Sequence, residues 1–136
     1  MTKTIKWGIA GLGNIAHKFA SDLKGVTQAE LVAVASSNMD RAKAFQKEFE
    51  GQKAYDSYTN LYHDPEVEVI YIASLNQNHK EMTLAALLAG KGVLCEKPLG
   101  LNPEEIKLMV ATAQKENCFL MEGLWSRFNP AIQKAK

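Results

Sequence analysis

The chain has 136 residues, a length that suits one domain and allows about two-thirds of the unfolded surface to be buried on folding. It is 46% hydrophobic and 23% charged with a net charge of +1, which gives no electrostatic case for a nucleic acid or an acidic membrane as partner. The apolar run near the start is too short for a signal peptide or a membrane span, so a cytoplasmic protein is expected. Two isolated cysteines and three scattered histidines predict neither a disulfide framework nor a metal site.

Strand and helix patterns alternate along the whole chain, without repeats or low-complexity linkers. Strands are predicted where apolar residues run together, at 4–9, 31–35, 53–55, 67–73, 92–95 and 118–122. Helices are predicted where apolar residues recur every three or four positions, at 14–24, 39–49, 57–62, 79–89 and 103–116. This alternation predicts an α/β fold, an open parallel doubly wound sheet with strand order 3-2-1-4-5-6.

Local signals also predict helix ends and buried faces. Gly51 is expected to close the second helix. In the last complete helix, Asn102 is the predicted N-cap, Pro103 takes the first helical position, and Glu105 is placed to complete a capping box. The predicted buried stripes are Ile15, Phe19 and Leu23 in the first helix and Ile106, Met109, Val110 and Ala113 in the last.

Two glycines lie at the turn between the first strand and the first helix. Because a strand precedes this turn and a helix follows it, the spacing of Gly11, Gly13 and Ala16 matches the dinucleotide-binding fingerprint. Gly11 permits the tight turn, Gly13 lets the backbone approach a pyrophosphate, and Ala16 allows close packing of the helix on the strand. The free N–H groups of the helix N-terminus then favour the phosphates. The alternative is a glycine turn that binds no ligand.

Ligands of such sheets bind at the carboxyl ends of the strands, beside the point where the strand order reverses. Here that point lies between the first and fourth strands. The segments that follow strands, and that are therefore expected to collect at this edge, are Gly11–Asn14, Ser36–Asn38, Ser74–His79, Glu96–Pro98 and Glu122–Phe128.

The residues after the second strand bear on the choice of cofactor. An NAD-binding domain usually has an acidic residue there, whereas this chain has Ser36, Ser37 and Asn38, followed by Arg41 and Lys43. Hydroxyls, an amide and nearby cations suit a 2′-phosphate, which favours NADP, with NAD as the alternative. In the competing interpretation, Asn38 caps the next helix and the two cations lie on a solvated face.

Three motifs occur in matching order along the chain: Gly8-x-x-Gly11-x-Gly13-x-x-Ala16, Tyr71-Ile-Ala-Ser-Leu-Asn76-x-x-His79 and Ala89-Gly-Lys-Gly-Val-Leu-Cys-Glu96-Lys97-Pro98. Together they resemble the glucose-fructose oxidoreductase/inositol dehydrogenase/MocA family, and the resemblance covers essentially the whole chain. The stretch 121–130 resembles the dihydrodiol and xylose dehydrogenase branch of that family. One departure is that serine and leucine at 74 and 75 replace the Thr-Pro often found there.

The resemblance implies an oxidoreductase that transfers a hydride between NADP(H) and a secondary alcohol of a sugar or cyclic diol. Lys97 would be catalytic, assisting proton transfer beside the nicotinamide and stabilising a developing alkoxide. Glu96 would position the cofactor or the lysine, and the Lys97–Pro98 bond is a candidate cis peptide. The residues expected at the cofactor are Gly11, Gly13, Asn14, Ile15, Ser36, Ser37, Asn38, Arg41, Ser74, Leu75, Asn76, His79, Glu96 and Lys97. The residues expected at the substrate are Trp125, Arg127 and Phe128.

Members of this family are longer, because a second α/β domain follows the nucleotide-binding domain. The resemblance therefore implies that residues 1–124 form the dinucleotide-binding domain and that 125–136 begin the link to a second domain. It further implies that these 136 residues alone bind nucleotide with little or no turnover, and that the longer enzyme is a homo-oligomer acting on a small molecule.

Other interpretations stay open at this stage. A non-enzymatic dinucleotide-binding regulator would share the glycine turn, and a glycosidase of the same family would retain NAD for transient oxidation. A methyltransferase is the least favoured, because it normally has an acidic residue after the second strand. His79 alone would be an ordinary helix-start residue, and Trp125 and Phe128 would be core residues.

Overall fold

The computed structural model describes residues 3–123, which form one six-stranded parallel sheet with helices on both faces. The strands are β1 (Ile5–Ala10), β2 (Ala29–Ala35), β3 (Lys53–Tyr55), β4 (Val69–Ile72), β5 (Gly92–Glu96) and β6 (Leu120–Gly123). The helices are α1 (Asn14–Leu23), α2 (Met39–Phe49), α3 (Tyr58–Tyr62), α4 (His79–Leu88) and α5 (Pro103–Lys115), and a 3₁₀ turn at Asn76–Asn78 precedes α4. The strand order is β3-β2-β1-β4-β5-β6, which confirms the predicted doubly wound fold.

Each face of the sheet carries its own hydrophobic core, because successive strand residues point to opposite faces. On one face α1 and α2 pack over Ile9 of β1 and Tyr71 of β4. On the other face α3, α4 and α5 pack over Ile70 and Ile72 of β4 and over Val93 of β5. Burial on both sides explains why the central strands are almost continuously apolar.

The buried face of α1 differs from the predicted stripe. Ala16, Ala20 and Leu23 face the sheet, whereas Ile15 and Phe19 are only half-buried. Alanine has no atoms beyond Cβ, so this face lets the helix approach the strands closely, as expected for Ala16 in the fingerprint. Leu23 is buried as predicted, and the ring of Phe19 stacks on Tyr71 of β4, so the predicted stripe lies directly beside the more deeply buried alanines.

The helix ends agree with prediction at α5 and differ at α2. Asn102 Oδ1 accepts a hydrogen bond from Glu105 N at 3.0 Å, while the Glu105 carboxylate accepts from Leu101 N instead of closing a strict capping box. In α2 the left-handed position after the last turn belongs to Glu50, with φ of +59°, and not to Gly51 as predicted.

The predicted buried stripe of α5 is too wide. Met109 and Ala113 are buried, but Ile106 and Val110 are 36% and 41% exposed. Helix α5 packs against α4 and flanks the sheet at its β6 end, so only a narrow side of the helix is covered by the described residues.

A polar cluster joins the amino-terminal ends of the strands, opposite the edge where ligands are expected. The buried Asp64 carboxylate accepts hydrogen bonds from Tyr55 Oη at 2.8 Å, from Glu66 N at 2.9 Å and from Lys53 Nζ at 3.1 Å. Nearby, Lys91 Nζ donates to the carbonyl oxygens of Asp64 and Val67, both at 2.6 Å. Burial lowers the pKa of Lys91. The two carbonyl contacts place the Lys91 ammonium at this end of the fold and not at the ligand edge.

Asp64 also makes the stability of the fold depend on pH. Burial alone would raise the pKa of its carboxyl, but the hydrogen bonds from Glu66 N, Tyr55 and Lys53 outweigh burial and lower the pKa below its usual value. A lowered folded-state pKa adds stability that is present above the unfolded-state value, about pH 4, and that is lost as the pH falls through the folded-state pKa.

We predict that Asp64→Asn lowers the free energy of unfolding at pH 7 by about 1–3 kcal/mol, because the donors around it lose a charged acceptor. Below about pH 4 the difference from the parent chain should begin to shrink, since the Asp64 carboxyl of the unfolded chain then takes up a proton and stabilises the unfolded state. Urea unfolding at pH 7 and at about pH 3.5, which lies roughly half a unit below the unfolded-state pKa of an aspartate, measures both effects. Glu66→Gln is the control, because it removes an exposed contact with Lys53 worth at most about 1 kcal/mol. If Asp64→Asn and the parent chain differed in free energy of unfolding by the same amount at both pH values, the proposed role of the Asp64 charge would be wrong.

Candidate functional site

Gly11 brings the ends of β1 and β4 into contact at the carboxyl edge of the sheet. Its φ is +92°, and a Cβ built on it would lie 2.9 Å from the carbonyl carbon and oxygen of Ala73 and from Ser74 N. Its own N–H donates to Ala35 O at 3.1 Å, which ties the turn to the end of β2. Both the backbone angle and the close approach therefore require glycine.

Gly13 differs from Gly11, because it faces open space. A Cβ built on Gly13 would have no atom within 4 Å, and its φ of −81° suits any residue. Gly13 is the N-cap of α1, and no side chain caps the helix there. The first N–H groups of α1, which begins with the exposed Asn14 and the half-buried Ile15, thus lie beside open space that can take an anion.

The segment after β2 forms a second wall of this edge. Ser36 is buried, and its Oγ accepts from Asn38 N at 3.2 Å, which orders the loop. Asn38 Oδ1 accepts from Arg41 N at 3.0 Å and so caps α2, as one of the two sequence interpretations expected. Ser37 and the Arg41 side chain are exposed, and no acidic residue stands at positions 36–38.

The loop after β4 contributes Ser74, Leu75 and Asn76 to the same edge. Ser74 is half-buried, whereas Leu75 and Asn76 are exposed. His79 lies beneath them and is only 1% exposed. Its Nδ1 is 2.7 Å from Pro98 O and its Nε2 is 3.0 Å from Ser74 O, so the ring bridges the loops that follow β4 and β5. A neutral ring donates to one of these carbonyls and an imidazolium to both.

The loop after β5 carries the exposed Lys97, and side chains from β6 and α4 hold this loop. The Lys97–Pro98 bond is cis, as the sequence suggested. Glu122 at the end of β6 accepts from Leu99 N at 2.8 Å, and His79 contacts Pro98 O. Sequence reasoning gave Glu122 no individual role, because a single acidic residue near a strand end is indistinguishable from an ordinary surface residue.

Tyr71 on β4 is the other residue whose role the sequence did not reveal. Its hydroxyl donates to Glu96 Oε2 at 2.5 Å, immediately before Lys97 in the chain. In the sequence it is one apolar member of a buried strand, and nothing there shows that its hydroxyl has an acceptor on β5.

Three expected substrate residues, Trp125, Arg127 and Phe128, lie outside the described residues. Within residues 3–123, no three His, Cys, Asp or Glu side chains are close enough together to hold a metal ion. In the same part of the chain, no helix is long and apolar enough to cross a membrane.

This fold and edge agree with what comparison to known proteins finds. Residues 5–124 match the profile of an oxidoreductase family with an NAD-binding Rossmann fold, the Gfo/Idh/MocA family, and the chain belongs to that family. Trans-1,2-dihydrobenzene-1,2-diol dehydrogenases from mouse and human are 47% and 44% identical to it over 131 residues. That alignment covers 95% of this chain and 39% of either relative, so the chain spans well under half the length of these proteins.

Solved structures show the same domain. A 3-ketoreductase from Actinomadura kijaniata, solved with NADP and TDP-benzene, is 30% identical with a TM-score of 0.90, over 98% of this chain and 42% of that one. A scyllo-inositol dehydrogenase from Lactobacillus casei is 28% identical with a TM-score of 0.86, over 99% of this chain and 41% of that one. The open space at Gly13 and the uncapped N-terminus of α1 fit a dinucleotide, in agreement with the NAD-binding fold that defines this domain of the family.

We predict that alanine destabilises the fold at Gly11 and leaves its stability nearly unchanged at Gly13. Gly11→Ala should lower the free energy of unfolding by more than about 2 kcal/mol, because the new methyl group meets the Ala73–Ser74 backbone and the left-handed φ strains alanine. Gly13→Ala should leave stability within about 1 kcal/mol of the parent chain. Urea unfolding of both variants measures this contrast, and equal losses would contradict the turn geometry described above.

Proposed function

We propose that this chain is the nucleotide-binding part of an NADP(H)-dependent oxidoreductase that acts on a secondary alcohol of a sugar or cyclic diol. One observation carries the proposal: the Gly11 turn and the Lys97 loop lie at the same carboxyl edge, after strands β1 and β5 that flank β4. Pyrophosphate binding and proton handling are thereby available on the two sides of one crevice. The names of the relatives, which are dehydrogenases and a ketoreductase, support the same reaction class.

The segment after β2 supports NADP over NAD. Ser37 and the Arg41 side chain are exposed there, and a cation attracts a 2′-phosphate that a carboxylate would repel. Asn38 contributes less, since its Oδ1 is already taken by the cap of α2. The 3-ketoreductase with the same fold was solved with NADP, which agrees with this preference.

The proposed division of labour follows from the chemistry of each group. When bound, the nicotinamide supplies the centre that accepts or donates the hydride. The N-terminus of α1 holds the pyrophosphate, and Asn14, Ile15, Ser74, Leu75 and Asn76 line the path from it towards Lys97. The ammonium of Lys97 hydrogen-bonds the substrate oxygen, orients the hydroxyl and stabilises the negative charge that develops on that oxygen. Glu96 fixes the start of the lysine loop, and His79 acts through the two carbonyls that it bridges.

The remaining parts of the proposal concern the longer enzyme. We propose that residues 1–124 are its dinucleotide-binding domain and that residues from 125 onward lead to a domain that closes the substrate pocket. Trp125, Arg127 and Phe128 would meet the substrate there, since aromatic faces suit a sugar ring or an aromatic diol. A homo-oligomeric, cytoplasmic enzyme is part of the same proposal. The further domain is supported by the length of the dehydrogenase relatives, which are more than twice as long as the matched region.

The test uses the longer enzyme with Lys97→Gln. We expect kcat for oxidation of a dihydrodiol or sugar to fall by about 100-fold or more, with a much smaller change in the KM for NADP⁺, because Lys97 acts on the reacting oxygen. Lys107→Gln on the exposed side of α5 is the matched control and should leave both constants unchanged. The same assay should give a higher kcat/KM with NADP⁺ than with NAD⁺.

A Lys97→Gln enzyme with unchanged kcat would contradict the catalytic role and favour a non-enzymatic dinucleotide-binding regulator. A higher kcat/KM with NAD⁺ would contradict the cofactor assignment alone. Retention of a nucleotide through purification, without release of reduced cofactor, would point to the glycosidase chemistry known within this family.

A further inference from the structure

Tyr71 connects two elements that the proposed function uses separately. It lies in the middle of β4, is 1% exposed, and points to the face of the sheet that α1 covers. Its ring stacks on Phe19 of α1, with centroids 3.9 Å apart and planes inclined by 16°. Phe19 in turn packs edge-on against Trp7 of β1 at 5.4 Å. The position of the Tyr71 ring is therefore fixed relative to α1.

The hydroxyl of Tyr71 reaches from this fixed ring to the next strand. It donates to Glu96 Oε2 at 2.5 Å, at the carboxyl end of β5. The same carboxylate lies over Gly123 of β6, where an added Cβ would come within 3.2 Å of Oε2. The Glu96 carboxylate thus occupies space that a side chain at Gly123 would fill, and the buried Tyr71 hydroxyl hydrogen-bonds one of its oxygens.

This hydrogen bond has a defined direction. Burial raises the pKa of Tyr71, and the contact with Glu96 raises it further, so the phenol stays protonated and donates. A phenol that donates to a carboxylate makes a charge-assisted hydrogen bond, which is shorter and stronger than a neutral one. The bond is therefore well suited to fixing the rotamer of Glu96.

We propose that Tyr71 is a positioning residue of the cofactor site: through Glu96 it sets the spacing between the α1 end and the Lys97 end of the bound dinucleotide. The inference rests on the proposed function, because it assumes that the pyrophosphate meets α1 and that the nicotinamide meets the Glu96–Lys97 loop. Tyr71 touches neither part of the ligand. It acts by connecting Phe19 on α1 to Glu96 on β5.

Tyr71→Phe tests this role, because it keeps the ring and its stacking on Phe19 and removes only the donor. Titrations of the 136-residue chain would use two ligands, NADPH and adenosine 2′,5′-bisphosphate, which contains only the adenosine half with its 2′-phosphate. The dissociation constant for NADPH should rise about tenfold, the size expected for one hydrogen bond to a charged group. Binding of the bisphosphate should be unchanged, whereas a loss of folding would weaken both ligands together.

Tyr62→Phe is the matched control. Its hydroxyl is also buried, and among the described residues it has no hydrogen-bond partner, so its removal should change the binding of neither ligand. Glu96→Ala is the second variant and should show the same selective loss of NADPH. Because Tyr71 is proposed to act only through Glu96, adding Tyr71→Phe to Glu96→Ala should cause no further loss.

Three outcomes would overturn the inference: unchanged NADPH binding by Tyr71→Phe, equal weakening of both ligands, or effects of Tyr71→Phe and Glu96→Ala that add. Failure of the proposed function is a separate result, since the parent chain would then bind neither NADPH nor the bisphosphate.

Discussion

The contact between Gly11 and the Ala73–Ser74 backbone is the constraint on which the site depends. A Cβ on Gly11 would lie only 2.9 Å from backbone atoms of Ala73 and Ser74. This close approach brings the ends of β1 and β4 together at the point where the strand order reverses. Any side chain at position 11 would separate these ends. The start of α1 is placed by the same turn, because Gly13, the N-cap of the helix, follows two residues later. The close approach of the Gly11 backbone to Ala73 and Ser74 therefore determines how the anion site at the start of α1 lies relative to the loop after β4.

The lysine loop is held differently, by polar side chains from three neighbouring elements. His79 on α4, Glu122 on β6 and Tyr71 on β4 contact Pro98, Leu99 and Glu96 in turn. These contacts surround Lys97 without touching its ammonium, which stays exposed at the edge. These hydrogen bonds are partly buried, and partial shielding from water strengthens them, so they can hold a loop in one conformation while its functional side chain stays accessible.

Sequence reasoning succeeded where a local pattern determines the outcome. Strand order follows from the alternation of strands and helices, and the turn at Gly11 from its spacing to Ala16. It failed where the answer depends on what lies across the sheet. The buried side of α1 and the exposure of Ile106 and Val110 depend on how closely each helix approaches its neighbours, and the Tyr71–Glu96 bond joins residues 25 positions apart. A single sequence contains no pattern that marks such a pair.

The most direct test of the central claim is the set of backbone amide signals of the ¹⁵N-labelled chain that shift when NADPH is added. We expect the largest shifts at one edge of the sheet, in Gly11–Ile15, Ser36–Asn38, Ser74–Asn76 and Glu96–Lys97. Residues at the opposite edge, such as Asp64 and Lys91, should stay unchanged. Shifts confined to that opposite edge would contradict the proposed site. The absence of shifts at millimolar NADPH would contradict it too, because a dissociation constant of roughly 1 mM is the weakest that would still count as binding.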